Sequence, residues 1–292
     1  MEFSEFFHFL TILYESIKLL PKNRKLMASI AILSHIPPSI LFLLFISSVQ
    51  SSTNYIRTSQ FLLIYVLEIA FFLLFITINH LSTVATILVS ATSYSGKNIS
   101  FEHIFSSIKG TWRRPLLTSF QVSRSSSNVY LFVPWAFLVA IGSPNPITIS
   151  IAIFVGITFI VLQLYSSVVW ALSQVVSIVE EGFQGREAVE KAAQVVEGQR
   201  LHGFMLNLFF SLLLSATFVV CWMVLGDKGS FFKNLTIYGL IVLNLTSFVK
   251  MLLFMAYTVL YFQCKQQHGE EIEMIGYLHY TKLPTSCQQA GE

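Results

Sequence analysis

The stretch TISIAIFVGITFIVLQLYSSVVWALSQVVSIV, residues 148–179, decides the fold class of this chain. None of its 32 residues is charged. An α-helix needs about 20 apolar residues to cross the hydrocarbon core of a bilayer, so this stretch is long enough to cross the core and to continue beyond it. It predicts a transmembrane helix.

The composition of the whole chain agrees with a membrane environment. Hydrophobic residues make up 54% of the 292 residues and charged residues 11%, and the mean hydropathy is +0.68. An ordinary soluble protein has about 25% charged residues. A soluble fold of this size has too little interior to bury so much apolar surface, whereas lipid accepts it.

Further apolar stretches extend the prediction to an all-α fold, a polytopic transmembrane helical bundle of about six spans. The bundle is expected to form one domain over residues 1–265, followed by a cytosolic tail over 266–292. The stretch 129–143 is the weakest, because it is short and contains Pro134, and a re-entrant hairpin is the alternative there. The predicted spans lie near 26–49, 60–89, 129–143, 148–179, 201–225 and 235–262.

The distribution of Lys and Arg predicts the orientation. If the N-terminus is cytosolic, the outer loops contain only Arg57, Lys228 and Lys233, and Lys250 lies within a span. The other 14 of the 18 basic residues then lie in cytosolic segments. Cytosolic loops carry the excess of Lys and Arg in membrane proteins, so both termini are expected in the cytosol. Whether the membrane belongs to the endoplasmic reticulum, another endomembrane or the plasma membrane is left open.

Three cytosolic segments have apolar residues at helical spacing and polar residues on the other face, near 3–20, 100–114 and 184–200. Each precedes a pair of spans, which indicates a unit of roughly 90 residues repeated three times. The alternative is that amphipathic connectors recur here without repetition. The three helices are expected to lie half-buried among lipid headgroups. The candidate interfacial residues are Phe6, Phe7, Phe101, Phe105, Trp112, Arg113 and Arg114.

A few polar residues interrupt the predicted spans. Glu68 and Lys250 are charged, and counting residues from the outer ends of their spans allows the two side chains to meet. An ion pair that fixes helix packing is one interpretation, and an ion-coupled site is the other. His35, followed by Pro37-Pro38, interrupts span one, and Asn79-His80 lies late in span two. A kink with interhelical hydrogen bonds or a substrate-binding break would explain them.

No residue pattern indicates an enzyme, and the sequence predicts no cofactor and no metal. HExxH, GxSxG, P-loop and paired-Cys motifs are absent from the chain. Glu180-Glu181, beyond span four, is interpreted as a solvated face. The net charge of +3 is too small to indicate nucleic-acid binding. The three cysteines predict no disulfide framework, and Cys264 at a membrane boundary is a palmitoylation candidate.

Three stretches are distinctive: residues 166–182, Val196-Glu-Gly-Gln-Arg-Leu-His-Gly-Phe204 and the tail from Tyr261 to Pro284. They resemble a plant family of uncharacterised six-span membrane proteins. Some members of that family are labelled polyadenylate-binding-protein-binding proteins. The resemblance implies a six-span fold without an established activity, and it transfers no catalytic residue to this chain.

The leading functional hypothesis is a non-enzymatic membrane protein that acts in membrane organisation, trafficking or partner recruitment through its cytosolic helices. Its expected partners are the lipid bilayer and either a cytosolic protein or a second copy of the chain. The alternative hypothesis is a small-solute or lipid transporter that uses Glu68, Lys250 and His35.

Overall fold

The computed structural model describes residues 3–54, 61–96, 101–124, 145–225, 231–267 and 269. These residues form nine α-helices and no strand, which confirms the all-α fold class. The helices are α1 (Phe3–Lys22), α2 (Arg24–Asn54), α3 (Phe61–Tyr94), α4 (Phe101–Thr111), α5 (113–124), α6 (Pro146–Val179), α7 (Arg186–Val195), α8 (Arg200–Leu225) and α9 (Phe231–Gln267).

Five helices of the described part are long and apolar enough to cross a membrane. The candidate spans are Arg24–Gln50, Tyr65–Tyr94, Pro146–Val179, Arg200–Val220 and Thr236–Gln267. They coincide with five of the six spans predicted from the sequence. The chain is therefore a multi-pass membrane protein. The remaining predicted span, 129–143, lies outside the described residues, as does nearly all of the predicted tail.

Hydrogen bonds between helix ends show that one end of the bundle collects the starts of α2 and α8 and the ends of α1, α3, α6 and α9. The Asn23 amide before α2 donates to Ser93 near the end of α3 at 2.9 Å. The amide of Gln263 in α9 donates to Glu15 of α1 at 2.9 Å. We call this end the basic end, because the Lys and Arg residues that flank these helices gather there.

The exposure of the side chains changes along the length of the spans. Large apolar side chains of α3 are exposed from Tyr65 to Ile76, and those of α6 are exposed from Ile147 to Tyr165. Towards the basic end the same helices become buried without interruption over 82–93 and 172–180, and α9 becomes buried over 255–262. We call the first part the exposed belt and the second part the basic core.

Helix length explains this division. The α3 helix has 34 residues, and at about 1.5 Å per residue it is about 51 Å long, whereas the hydrocarbon core is about 30 Å thick. The excess length therefore extends beyond the hydrocarbon at one end. At that end the shorter helices pack against the long ones. The α1 helix packs on α9, and the α7 helix packs on α6. The basic core is the packed part of the molecule.

The α2 helix continues through Pro37 and Pro38, so the described backbone is not unwound there, and a kink stays a prediction. Proline removes a backbone donor, and a transmembrane helix tolerates this when side chains satisfy nearby groups. Here the Ser34 hydroxyl donates to the Ala31 carbonyl at 3.0 Å, and His35 Nδ1 lies 2.7 Å from the same oxygen. These bonds satisfy the Ser34 and His35 side chains within the helix, whereas the carbonyls to which Pro37 and Pro38 cannot donate are those of Leu33 and Ser34.

Two asparagines inside spans connect neighbouring helices by hydrogen bonds. Asn207 of α8 donates to the Ser167 hydroxyl at 2.5 Å and to the Leu164 carbonyl at 3.1 Å, both on α6. Asn244 of α9 donates to Ser39 of α2 at 3.0 Å. Interhelical hydrogen bonding is a common use of amide side chains in membranes, and these two residues follow it.

Candidate functional site

A small polar cavity lies between α2, α3 and α9, at the level where the exposed belt meets the basic core. Including its open mouth it measures about 240 Å³, and its closed part has room for about one water molecule. Lys250 provides its charged group. Ser34, Asn79, Ser82, Thr83, Thr86, Ser247, Met251 and Phe254 complete the lining.

Part of this lining has its hydrogen atoms engaged within its own helix. Thr83 donates to the Asn79 carbonyl at 2.9 Å, and Thr86 donates to the Ser82 carbonyl at 2.8 Å. The Asn79 amide donates to the Phe75 carbonyl at 3.0 Å. The Thr83 and Thr86 hydroxyls therefore have no hydrogen left to donate into the cavity.

Other donors of the cavity have no acceptor among the described residues. The hydroxyls of Ser82 and Ser247 make no hydrogen bond to described protein groups, and neither does the Lys250 ammonium. Lys250 Nζ lies over the Phe254 ring, 5.9 Å from its centroid, and no carboxylate of the described chain pairs with it. An unpaired ammonium is unusual in a partly buried site, because desolvation of a charge is costly.

The structure brings together only part of the polar site that the sequence predicted. Asn79 and Lys250 share the cavity, and His80 lies beside it, near the Trp112 backbone and within electrostatic range of Lys250. The Nε2 atom of His80 is buried and has no hydrogen-bond partner in the described structure. Among the residues that the structure describes, His35 bonds only within α2, to Ala31 and Ser34.

Glu68 and Lys250 do not meet. Lys250 is level with Asn79 and the residues after it, and Glu68 lies 11 residues before Asn79, about 16 Å along α3. Glu68 is half-buried in the exposed belt instead. The estimate from the sequence failed because it counted from the start of the apolar stretch near 235, whereas α9 begins at Phe231, so Lys250 lies deeper than the count indicated.

A second charged cluster lies in the basic core, and the sequence reasoning missed it. The Lys265 ammonium is 2.8 Å from Glu180 Oε1, with side-chain exposures of only 5% and 7%. The Tyr261 hydroxyl donates to the same carboxylate oxygen. Glu180 is therefore a buried ion-pair partner, not part of a solvated face. The spacing of Tyr261 and Lys265, one helical turn apart on α9, is the signal that could have indicated a shared partner.

The basic core packs tightly around this ion pair. Tyr94 stacks on Phe262 with ring centroids 5.0 Å apart. Tyr257 is fully buried and donates to the Gly203 carbonyl at 3.3 Å. Cys264 is also fully buried. An acyltransferase needs an accessible thiol, so the burial of Cys264 argues against its palmitoylation in this conformation.

The predicted apolar stripe of α1 is directed away from the protein. Leu10, Tyr14 and Ile17 are 43%, 68% and 48% exposed. Phe9 and Ile12 occupy the opposite, buried side. The side chains of the predicted residues Phe6 and Phe7 lie outside the described residues. The stripe is thus left uncovered by the described chain, as contact with lipid requires.

A similar uncovered face runs along α4 and α5. Phe105 is 64% exposed and Trp112 is 38% exposed, and the Arg113 guanidinium lies 5.5 Å from the Trp112 ring centroid. Leu117 and Phe120 continue the face on α5. Arg114 is half-buried, and the Phe101 side chain lies outside the described residues.

The third predicted interfacial helix is different. The apolar residues of α7, among them Ala188, Ala192 and Val195, are buried against the protein. The expectation that this stripe lies among lipid headgroups is therefore wrong. Alanines allow close helix packing, whereas aromatic side chains extend further, and α7 has alanines where α1 and α4 have aromatics.

The comparisons with known proteins found one family. The model of DUF8558, a domain of unknown function, matches residues 47–280, which is most of the chain. The matched part includes both Lys250 and the Glu180–Lys265 pair, and α1 lies before it. The chain belongs to this family. The comparisons with curated proteins and with solved structures found no match.

Proposed function

We propose that this member of the DUF8558 family is a non-enzymatic protein that organises the membrane into which it is inserted. Its basic end is proposed to face the cytosol, with both termini there. From this end, α1 and the α4–α5 segment would enter the adjoining leaflet by their apolar faces. Membrane trafficking is the process in which such an activity would be used.

The observation that supports this proposal most is the pair of uncovered apolar faces beside basic residues. Tyr14 and Phe120 are 68% and 69% exposed, which is high for large apolar side chains. Lys18 is exposed on α1, and Lys109 and Arg113 are exposed on the α4–α5 segment. Helices of this kind bind at the headgroup level through apolar burial and through attraction to anionic lipids.

The attachment of α1 to the basic core explains why this helix would bend the bilayer and not only bind to its surface. The edge-on contact between Phe9 of α1 and Phe209 of α8 has ring centroids 5.9 Å apart, and Glu15 of α1 bonds to Gln263 of α9. The α1 helix is thus joined to the spans. Helices held rigidly in one leaflet add area to that leaflet alone, which favours curvature.

Reconstitution into large vesicles with anionic lipid tests the proposal. The protein is expected to convert them into smaller vesicles or tubules, as seen by electron cryo-microscopy. The variant Tyr14→Glu with Phe120→Glu should lose this effect, because each charge would have to enter the headgroup–acyl boundary. Gln194→Glu adds a charge at an exposed site of α7 and serves as the matched control. Equal vesicle remodelling by both variants would contradict the proposal.

A cytosolic protein or a second copy of the chain is the alternative occupant of the uncovered faces. Cross-linking from a residue at position 14 in native membranes distinguishes these from lipid. A discrete protein adduct that Phe120→Glu abolishes would assign the faces to partner recruitment.

A transporter is the second candidate, and the polar cavity beside Lys250 is the observation that favours it. The closed part of the cavity holds about one water molecule, so a route for a larger solute would require the helices to separate. Solute uptake into proteoliposomes that is lost in Lys250→Met would support transport over membrane organisation.

A further inference from the structure

We propose that the cavity between α2, α3 and α9 binds a phosphate-class anion, namely the headgroup phosphate of an anionic phospholipid. Lys250, Ser82 and Ser247 are assigned as the groups that donate hydrogen bonds to it. This inference depends on the cavity alone and does not require the proposed membrane-organising activity.

Three hydrogen-bond donors without an acceptor in the described protein line the same cavity. Lys250 Nζ and the hydroxyls of Ser82 and Ser247 line one cavity and make no hydrogen bond to the described protein. Ser247 and Lys250 are three residues apart on α9, so they lie on one face of that helix. Ser82 approaches from α3. Donors arranged in this way, around one ammonium, suit the oxygens of an anion.

The charge of the Lys250 ammonium is not balanced by any described carboxylate. No described carboxylate pairs with Lys250, and the buried Nε2 atom of His80 beside the cavity is also without a partner. A buried charge is normally paired or ligand-bound, because its desolvation is otherwise uncompensated. An anion at the cavity would supply the missing countercharge for Lys250.

The cavity lies at the boundary between the exposed belt and the basic core. One to two turns from Asn79, the exposed side chains of Phe72 and Ile76 mark the exposed belt of α3. On the other side of the cavity, Val84 and the residues after it are buried in the basic core. Lys250 therefore lies where the apolar belt ends, which is the level of lipid headgroups. A phospholipid in the adjoining leaflet would bring its phosphate to this level.

The size of the cavity limits what enters it. Asn79, Ser247 and Lys250 are half-buried, whereas Ser82 and Thr86 are buried, so the mouth is on the side of the first three. The closed part has room for about one water, which is close to the size of one phosphate oxygen. One oxygen of the phosphate would occupy the closed part, and the rest of the headgroup would remain at the mouth.

The test uses the purified full-length protein in detergent, with dioctanoyl phosphatidylglycerol as the probe and native mass spectrometry as the readout. The wild type is expected to bind this lipid in preference to dioctanoyl phosphatidylcholine. Lys250→Met should weaken the binding about tenfold or more, and Ser82→Ala with Ser247→Ala should weaken it about threefold to tenfold. Arg186→Met removes an exposed charge of α7, outside the cavity and outside the proposed lipid-binding faces, and should change the affinity less than twofold.

Two controls make each outcome decisive. The serine variants change only two hydroxyl groups, so they test the site even if Lys250→Met fails to fold. Inorganic phosphate is the second control. If it displaces the lipid and its own binding depends on Lys250 in the same way, the site belongs to free phosphate and the lipid assignment is overturned. Equal lipid affinity in the wild type and in the cavity variants overturns the site altogether.

Discussion

Replacing Lys265 with Met should destabilise the protein more than almost any other single change to a charged residue. The variant leaves the Glu180 carboxylate in the basic core without its partner at 2.8 Å. Both side chains are at least nine-tenths buried, so water cannot replace the lost ammonium. Breaking a buried pair by removing one partner typically costs about 3–5 kcal/mol.

This loss can be measured as a shift in the melting temperature Tm in detergent. For a protein of this size a change of 1 kcal/mol corresponds to about 2–4 °C, so Lys265→Met should lower the Tm by about 6–20 °C. Tyr261→Phe removes the hydroxyl that donates to Glu180 and should cost about 1.5–3 kcal/mol. Its expected Tm shift is smaller than that of Lys265→Met.

The same region provides a matched control. Arg186 and Glu190 form an ion pair of similar length, 2.7 Å, but their side chains are 81% and 58% exposed. Exposed pairs contribute about 0–1 kcal/mol, so Arg186→Met should leave the Tm nearly unchanged. The double variant Glu180→Leu with Lys265→Met should recover most of the loss, because it leaves no unpaired charge. Equal Tm shifts for Lys265→Met and Arg186→Met would refute the reasoning.

Three further predictions concern helix packing and are checked by Tm and by size-exclusion chromatography. Gly203→Val should destabilise by about 1–3 kcal/mol, because its Cβ would overlap the Val168 side chain, whereas Gly156→Val has open space around it and should be tolerated. Asn207→Leu should cost about 0.6–1.7 kcal/mol through loss of its bonds to α6, and an unchanged Tm would show that these bonds are not stabilising. Pro37→Ala with Pro38→Ala should preserve or raise the Tm, because α2 is already helical there, and a large decrease would contradict a continuous α2.

The spans were predictable from the sequence because membrane insertion depends mainly on the length and the hydropathy of each segment. The stretch 148–179 became α6 almost without change, and the basic segments predicted on one side gather at one end of the bundle. Five apolar helices are long enough to span, as predicted for these segments. The cytosolic orientation of that end is a prediction still.

The candidate sites were less predictable because they depend on which helices meet and at what height. The pairing of Glu68 with Lys250 required the relative height of α3 and α9, which hydropathy does not contain. Glu180 looked like a solvated residue because it follows the last apolar residue of α6. Its burial results from α9, which continues past the apolar stretch to bring Lys265 beside it.

The interfacial helices show a similar division. The described protein leaves the apolar stripe of α1 uncovered, and the contact of this stripe with lipid is still a prediction. The stripe of α7 was assigned to lipid as well, although its small residues pack against the protein. Periodicity indicates that a helix has an apolar face, but it does not indicate whether lipid or protein covers that face.

The depth of α1 and α5 in the bilayer tests the central claim most directly. Spin labels at positions 14 and 120 of the full-length protein in vesicles, with Cys221 and Cys287 replaced by serine, report access to oxygen and to a water-soluble nickel reagent. The account predicts that both labels lie just below the headgroups, with more access to oxygen than to nickel. A label at position 187 on α7 should be in water. Labels at 14 and 120 as accessible to nickel as the label at 187 would contradict the account.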